Sequence, residues 1–461
     1  MGKSYLQFLG ATETVTGSKF LLNVNGQNVL FDCGMFQGLK DLRRKNWEVL
    51  PVSPRKIDAV VLTHAHLDHS GYLPRLIKQG FSGSVHCSQA TAELLTLLLP
   101  DSGHLQEEEA AYANKKGYSK HSPALPLYTE EEAREALQYI RPLDYERIHK
   151  ITKGIQIRMH PTGHILGAAS IEVLFENKRL VISGDVGSFG HDVMRQPALI
   201  PPKTDYVVTE STYGGRVVDN RPVEDQLKEN ILPVLEKRGV VVIPAFAVGR
   251  TAMVLYYLRK LQDKREIPSV PVYVDSPMAT NAVEIYCRHP NEHNLRKGAL
   301  SEICDHSMSA LNTRFVRSVE QSKRLNESPG PAIIISASGM ITGGRILHHL
   351  KNRLPNKRNL VLLVGYQAVG TRGRALKDGA KKLRMLGQTV PVRAKVGSIK
   401  GFSSHGDSDD IIRWLKTAKP KPKKVFLVHG ESDELKAMAS RVNKELKCKY
   451  LIPKYLQSVD L

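Results

Sequence analysis

The sequence predicts a two-domain α/β protein in which a second α/β domain is inserted into the first. Three observations lead to this prediction. Strand-like runs alternate with helical runs through most of the 461 residues. Side chains with metal-ligand chemistry follow several of the strand-like runs. These side chains occur before residue 211 and again only after residue 404, so a long stretch of regular β–α alternation separates two parts of one predicted site.

The first part of the chain is predicted to be rich in strands. Residues 4–32 alternate in the manner of strands, with turns at Gly17 and at Asn25-Gly26, and residues 58–62 form a short apolar run. Residues 92–147 are predicted to be a helical, loop-rich excursion, in which Thr129 and Glu132 have the spacing of a capping box. Further strands are predicted at residues 155–160, 180–182 and 425–428.

The inserted part alternates regularly between helical and strand-like runs. Helices are predicted at residues 223–237, 251–261, 277–286 and 344–353, and strands at residues 240–243, 270–274, 332–336 and 360–365. Such alternation predicts a parallel sheet with crossover helices. The predicted boundaries are residues 1–212 for the first part of the outer domain, 213–393 for the inserted domain and 394–461 for the return to the outer domain.

The most informative motif is an H-x-H-x-D-H run directly after the strand at residues 58–62. It places three imidazoles and one carboxylate within six positions, His64, His66, Asp68 and His69. His64 and His66 are two residues apart, so an extended segment projects both to one side. One ion cannot easily use all four groups and keep an open position, whereas two ions can. Imidazole and carboxylate ligands suit zinc, with iron or manganese as alternatives.

Further candidate ligands follow other predicted strands, each beside a glycine that lets the chain turn. His164 follows Gly163, Asp185 follows Gly184, and His429 precedes Gly430. An α/β scaffold presents site residues in this way along one edge of its sheets. Asp185 is predicted to be the carboxylate that bridges two ions.

These motifs resemble the metallo-β-lactamase fold, an αββα sandwich, and more narrowly its β-CASP branch of nucleases with an inserted parallel-sheet domain. Residues 64–69 carry the resemblance together with Asp32, His164, Asp185 and His429. The branch adds an acidic residue and a histidine, matched by Glu210 in a V-V-T-E-S-T-Y-G segment and by His405 in a G-F-S-S-H-G-D segment. RNA-cutting members carry histidine at the position of His429, where DNA-repair members carry valine. The resemblance extends over nearly the whole chain.

The resemblance implies a ribonuclease with two Zn²⁺ ions per chain and no obligate small-molecule cofactor. We assign His64, His66 and His164 to the first ion and Asp68, His69 and His429 to the second, with Asp185 shared. His405 is the candidate general acid, oriented by Glu210, and Asp32 orients a ligand imidazole. The predicted catalytic residues are His405, Glu210, Asp68 and Asp32. Hydrolysis would leave a 5′-phosphate and a 3′-hydroxyl, by endonucleolytic cleavage with 5′–3′ exonuclease activity as a second mode.

The charge of the chain favours a polyanionic partner. Lys and Arg total 66 and Asp and Glu total 46, which gives a net charge of +20. Residues 345–400 contain fourteen Lys or Arg and one acid, Asp378. The charge predicts a polyanionic partner, and the resemblance implies that this partner is single-stranded RNA, bound in a basic cleft between the domains. The predicted RNA contacts are Arg250, Ser338, Gly339, Gln367, Arg372 and Arg374, by arginine–phosphate pairing and by backbone N–H groups at glycine turns.

Cysteine usage and hydropathy favour a cytoplasmic protein. The five cysteines are dispersed without a C-x-x-C pair, which predicts reduced thiols. No long apolar span or signal peptide is evident, so no membrane contact is expected. The oligomeric state stays open, a homo-oligomer included.

Two other classes of function remain open at this point. A small-molecule thioester or lactone hydrolase would share the H-x-H-x-D-H run, but it would need neither the inserted domain nor Glu210 and His405. An inactive RNA-binding scaffold would have lost ligands, whereas every matched ligand position here is filled.

Overall fold

The chain forms two compact units. The computed structural model describes residues 4–117, 119, 121–217, 221–294 and 312–461. The first unit contains Met1–Val217, Asn291–Asn294 and Ser404–Leu461, and the inserted unit contains Val218–Pro290 and Leu295–Ser403. No helix in the described part of the chain combines the length and the apolar character needed to span a bilayer.

The described residues form twenty-two strands and thirteen α-helices. The described strands are β1 Tyr5–Phe8, β2 Phe20–Val24, β3 Gln27–Phe31, β4 Ala59–Val61, β5 Ser84–Ser88, β6 Ile140–Leu143, β7 His149–Thr152, β8 Ile155–Pro161, β9 Ala169–Phe175, β10 Lys178–Ile182, β11 Tyr206–Thr209, β12 Val240–Pro244, β13 Val272–Val274, β14 Thr313–Phe315, β15 Ala332–Ser336, β16 Leu360–Leu363, β17 Lys382–Met385, β18 Gln388–Pro391, β19 Lys395–Ser398, β20 Lys424–Leu427, β21 Lys449–Leu451 and β22 Ser458–Asp460. The described α-helices are α1 Lys40–Arg44, α2 Leu67–Ser70, α3 Leu73–Lys78, α4 Gln89–Lys116, α5 Glu130–Ala136, α6 Val223–Glu236, α7 Arg250–Asp263, α8 Pro277–Arg288, α9 Val319–Glu327, α10 Ile346–Arg353, α11 Arg372–Lys377, α12 Ser408–Leu415 and α13 Ser432–Arg441.

The first unit is a sandwich of two seven-stranded sheets. One sheet has the order β22-β1-β2-β3-β4-β5-β6, and the other has the order β21-β20-β11-β10-β9-β8-β7. Alternate residues of the strands point inward, so Phe31 and Val61 of one sheet share a buried core with Ile171 and Ile182 of the other. Burying these side chains against each other is the main force that holds the two sheets together.

Helices cover the outer face of the second sheet. Val181 and Val207 point away from the sandwich core and pack against Trp414 of α12 and Met438 of α13. On the first sheet, α4 contacts β5 and β6. The first unit is therefore an αββα sandwich, which confirms the predicted fold class.

The inserted unit is built on a six-stranded sheet with the order β14-β13-β15-β12-β16-β19. Every pair in this sheet is parallel, as predicted from the β–α alternation. Parallel strands require crossover connections, and the helices of this unit supply them. A separate antiparallel hairpin of β17 and β18 lies between α11 and β19 in the chain.

The 28-residue helix α4 overlaps the start of the region predicted to be helical and loop-rich; Ser88 is its N-cap, and it continues through Pro100. The cysteines differ from expectation in one respect. Cys33, Cys87 and Cys448 are free and buried, whereas Cys287 is disulfide-bonded. The prediction of reduced thiols is therefore wrong for Cys287, and Cys304 lies outside the described residues.

Candidate metal centre

Parallel strands bring the predicted ligands to one edge of the sandwich. Strands β3 and β4 run parallel in the first sheet, and β10, β11 and β20 run parallel in the second. Strand β8 has the same direction, because β8 and β10 are each antiparallel to β9. Predicted site residues follow the carboxyl ends of all six strands, namely Asp32, His64, His164, Asp185, Glu210 and His429.

The first cluster consists of three imidazoles and one carboxylate. His66 Nδ1 lies 3.1 Å from His64 Nε2 and 3.2 Å from His164 Nε2. Asp185 Oδ2 lies 3.4 Å from His64 Nε2 and 3.3 Å from His164 Nε2. Four donor atoms from four different positions therefore converge on one point.

The second cluster lies on the other side of Asp185. His69 Nε2 is 3.2 Å from His429 Nε2, and Asp68 Oδ2 is 3.7 Å from His429 Nε2. Asp185 Oδ1 is 3.3 Å from His69 Nε2. Asp185 thus turns one carboxylate oxygen towards each cluster.

The donor sets fit metal ions better than they fit hydrogen bonds. Asp185 is 2% exposed, and its Oδ1 atom is buried without a hydrogen-bond partner. Neighbouring ligands on a tetrahedral zinc with bonds of 2.0–2.1 Å lie about 3.3–3.4 Å apart, close to the nitrogen and oxygen distances found here. Converging lone pairs repel each other unless a cation lies between them. The residues present therefore suit zinc.

The protonation states of the first cluster agree with this interpretation. Burial, with a smaller contribution from His64, lowers the pKa of His66 to about 3. Burial also lowers the pKa of His64, and it holds the pKa of His164 well below its usual value. The three imidazoles are therefore neutral near pH 7, which is the form that binds metal.

A buried carboxylate and two threonines support ligand imidazoles, which they contact at Nδ1. Asp32 Oδ2 accepts a hydrogen bond from His69 Nδ1 at 2.7 Å, and Asp32 also accepts from Thr63 N and Oγ1 at 2.8 and 3.0 Å. Thr212 Oγ1 lies 3.1 Å from His429 Nδ1. Burial lowers the pKa of His69, but the carboxylates of Asp185 and Asp32 outweigh it and hold that pKa well above its usual value.

Sequence analysis did not identify Thr63 and Thr212. Each lies next to a motif, with Thr63 directly before His64 and Thr212 two residues after Glu210. That adjacency is the only signal by which the two threonines could have been found.

His405 and Glu210 form a pair beside the first cluster. His405 Nδ1 lies 3.1 and 2.9 Å from the two carboxylate oxygens of Glu210, and Glu210 Oε1 also accepts from Val186 N at 2.7 Å. The His405 ring centroid is 4.4 Å from that of His164. Burial lowers the pKa of His405, but Glu210 and Asp185 outweigh it and raise that pKa to about 9.

The predicted RNA contacts all lie in the inserted unit. Gln367 is buried, and its Nε2 donates to Gly339 O at 3.0 Å. Ser338 Oγ lies 2.8 Å from Thr342 Oγ1. Arg250 at the start of α7 is also buried.

The two predicted arginine contacts differ in their surroundings. Arg372 donates to the carbonyls of Ile341, Thr342 and Arg384, so it holds loops of the protein itself. Arg374 forms an ion pair with Asp378, with Nε 2.8 Å from Oδ2, and its side chain is 33% exposed.

Three segments of the chain match known protein families. Residues 15–215 match the metallo-beta-lactamase superfamily, residues 251–376 match the Beta-Casp domain, and residues 389–453 match the Zn-dependent metallo-hydrolase RNA specificity domain. In the solved structures, a protein of unknown function from Enterococcus faecalis V583 aligns over 100% of both chains with a TM-score of 0.55 and 13% identity, which indicates a shared fold alone.

Curated relatives match over nearly the whole chain. Ribonuclease TTHA0252 of Thermus thermophilus is 37% identical over 439 residues, which cover 93% of this chain and 94% of that protein. The RNase J-like protein of Methanocaldococcus jannaschii is 30% identical and covers 97% of both chains. Transcription termination factor FttA of Methanosarcina mazei is 33% identical over 98% of this chain and 71% of its own length. With this coverage and the two-cluster site, the chain belongs to the β-CASP ribonucleases of the metallo-β-lactamase superfamily.

Proposed function

We propose that the protein uses two zinc ions to hydrolyse phosphodiester bonds of single-stranded RNA, leaving 5′-phosphate and 3′-hydroxyl ends. One observation carries this proposal. Asp185 turns one oxygen towards a cluster of three imidazoles and the other towards a cluster of two imidazoles and a carboxylate. Two ions that share a carboxylate can act on both the attacking and the leaving oxygen of one phosphodiester.

The ligand sets follow from the two clusters. His64, His66 and His164 would hold the first ion, and Asp68, His69 and His429 would hold the second, with Asp185 common to both. Bound zinc supplies Lewis acidity, which lowers the pKa of a water and neutralises phosphoryl oxygens. Asp32 acts on the second set as a positioning residue, because its hydrogen bond to His69 Nδ1 directs Nε2 towards the other ligands.

His405 is the proposed general acid. Its Nδ1 atom is held by Glu210, so Nε2 is the ring nitrogen that would protonate the leaving 3′-oxygen. Glu210 is itself fixed by the amide of Val186 and is 1% exposed, so it acts as a positioning residue for His405.

RNA contact by the inserted unit is also part of the proposal. Its basic segment, residues 345–400, exposes Lys381, Lys382, Arg384, Arg393 and Lys395. Arg374, Ser338 and Gly339 stay proposed phosphate contacts, as do Arg250 and Gln367. Arg372 is kept among them, but the test must allow for its three bonds to backbone carbonyls.

Purified protein incubated with labelled single-stranded RNA and with DNA of the same sequence tests this function. We expect RNA to be cut much faster, chelation to abolish cutting, and added Zn²⁺ to restore it. Product ends that accept ligation at the 3′-hydroxyl would identify the bond broken. Metal-loaded protein that leaves RNA intact but hydrolyses a thioester would replace this proposal with the small-molecule hydrolase.

Circular RNA and linear RNAs with a 5′-monophosphate or a 5′-triphosphate separate the modes of cleavage. Cutting of the circle demonstrates endonuclease activity, and faster loss of the monophosphate substrate would add a 5′–3′ exonuclease mode. Location in the cytoplasm and assembly into a homo-oligomer stay predictions.

A further inference from the structure

An exposed tryptophan on the first unit lies outside all the residues discussed so far. The chain has two tryptophans. Trp414 is completely buried in the helix layer, whereas Trp47 is 51% exposed and Val49, two residues later in the chain, is 90% exposed. Tryptophan is highly buried on average, so a half-exposed indole in a loop is a candidate for contact with a ligand.

The surroundings of Trp47 are basic. The guanidinium carbon of Arg75 on α3 lies 5.7 Å from the centroid of the Trp47 ring. Residues 39–56 contain six Lys or Arg and two acids, and one of those acids, Asp41, is paired with Arg44 at 3.7 Å. An aromatic face among cations suits a base attached to a phosphate backbone.

The loop that carries Trp47 is held in place by buried contacts. Asn46 is 6% exposed, accepts from Phe36 N at 2.9 Å and donates to Phe36 O at 2.8 Å. Lys45 lies 3.9 Å from the ring centroid of Tyr455. A fixed platform loses little conformational entropy when a base stacks on it.

Phe36, to which Asn46 is bound, follows a residue that contacts the segment carrying the metal ligands. Met35 N donates at 2.8 Å to the carbonyl of Leu67, the residue directly before Asp68. Asp68 is the most open ligand of the second cluster, with 23% of its side chain exposed against 4% for His429. The Trp47 loop is therefore connected, through Phe36 and Met35, to the segment that carries Asp68.

We infer that the Trp47 indole is a stacking platform for one base of the single-stranded RNA substrate, with Arg75 behind the ring and the cations of residues 39–56 facing the phosphates. This inference rests on the proposed function. A protein partner fits less well, because protein interfaces are depleted of lysine, whereas residues 39–56 contain Lys40, Lys45 and Lys56.

The main test is RNA affinity of Trp47→Ala with a matched control. Loss of a stacked base should raise the Kd for RNA by about 5- to 100-fold and raise KM, with kcat and metal content unchanged. Trp47→Phe should retain most of the affinity. Tyr112→Ala is the control, since Tyr112 is also exposed, at 44%, and has Lys116 within 6.0 Å of its ring, but it follows Glu107, Glu108 and Glu109. That variant should bind RNA as the wild type does.

An RNA with abasic nucleotides isolates stacking from charge. Wild-type protein should bind the abasic RNA about as weakly as Trp47→Ala binds the normal RNA. The affinity of Trp47→Ala should be little lower for the abasic RNA than for the normal RNA, because the same contact cannot be removed twice.

Intrinsic fluorescence gives a second measurement. Stacking should quench Trp47 when RNA is added, whereas buried Trp414 should not respond, so Trp47→Phe should abolish the quenching.

The outcomes are distinguishable. If the wild type binds and cuts RNA and Trp47→Ala has the same Kd and KM for RNA, this inference is wrong. The proposed function is then unaffected. A change of oligomeric mass in Trp47→Ala, measured by analytical ultracentrifugation at unchanged RNA affinity, would identify Trp47 as part of a contact between copies and also overturn this inference. Failure of the wild type to bind any RNA contradicts the proposed function itself.

Discussion

Two buried carboxylates, one in each unit, occupy similar positions in a sheet but have different roles. Asp185 follows β10 in the first unit and Asp275 follows β13 in the inserted unit, each at the carboxyl end of a strand in parallel pairing. Asp185 is 2% exposed and Asp275 is 0% exposed. Position and burial alone therefore do not distinguish a metal ligand from a structural charge.

The partners of the two carboxylates distinguish them. Asp275 accepts from Ser322 Oγ at 2.5 Å and Arg345 Nη1 at 2.7 Å, and it lies 2.6 Å from His349 Nε2. Burial raises the pKa of Asp275, but these three side chains outweigh it and hold that pKa below its usual value. Asp275 is thus satisfied within the protein.

Asp185 has no comparable set of donors. One of its oxygens has no hydrogen bond, and its neighbours are imidazole nitrogens. The comparison teaches that a buried carboxylate marks a metal site when lone pairs, rather than N–H and O–H groups, converge on it.

Asp185→Ala should have the largest effect. Loss of a ligand common to both ions should reduce metal affinity by more than the roughly 10- to 100-fold that a supporting residue contributes, and RNA cleavage should fall to background. Elemental analysis and cleavage rates of purified variants measure both. Normal metal stoichiometry in this variant would rule out the bridging role, and Asp275→Asn is the matched control that should keep its metal.

His405→Ala should slow RNA cleavage by roughly 10²–10⁴-fold, which is the usual contribution of a positioned acid. Metal content and RNA affinity should not change, because His405 lies outside both ligand sets. Glu210→Gln should give a smaller defect in the same direction.

An RNA with a 3′-bridging sulfur at the cut site is the diagnostic substrate for that role. A thiolate leaves without a proton, so this RNA should recover most of the rate lost in His405→Ala. If His405→Ala cuts the sulfur substrate as slowly, relative to the wild type, as it cuts normal RNA, His405 is not the acid. Loss of metal from the variant would show the same.

Asp275→Asn should unfold more easily by about 3 kcal/mol, because it leaves Arg345 without its buried counter-charge. Because the folded-state pKa of Asp275 is lowered, its contribution is present above the unfolded value of 3.8 and is lost as pH falls through the folded value. Urea unfolding should therefore give a difference between wild type and variant at pH 7 that shrinks below about pH 4. A difference that grows with acidity would contradict the ionic role.

Asp32→Asn should have the smallest effect, about 10- to 100-fold in metal affinity or rate. Asparagine keeps the size of the side chain but removes the charge that holds His69 Nδ1. Metal titration of this variant should show a lower affinity mainly at one of the two sites. An equal loss at both sites would mean that Asp32 supports the whole centre rather than His69.

Much of the fold could be predicted because the sequence repeats a simple pattern. Apolar runs followed closely by a ligand residue located β4, β10 and β20 to within two residues, and strand 332–336 was predicted with the bounds that the structure has. Most of helix α4 lies within the stretch predicted to be helical and loop-rich, and it continues through Pro100, where packing of Leu98 and Leu99 outweighs the tendency of proline to end a helix.

The polar partners were less predictable than the ligands. A dense histidine run is rare, so it identifies a site, whereas serine and threonine occur everywhere and Thr63 gives no separate signal. Arginine is equally ambiguous, since Arg372 donates to backbone carbonyls where the sequence favoured phosphate. Such choices depend on the three-dimensional neighbours of each group.

The position of His429 has a consequence for biosynthesis. Strand β20 lies between β11 and β21, although about two hundred residues separate β11 from β20 in the chain. A nascent chain that has emerged only as far as the inserted unit therefore displays His64, His66 and His69 without His429 or His405. Because metal binding and completion of the fold are coupled, we expect the second ion to load only after residues 424–429 have left the ribosome, and an unfinished chain to be unable to cut the RNA around it.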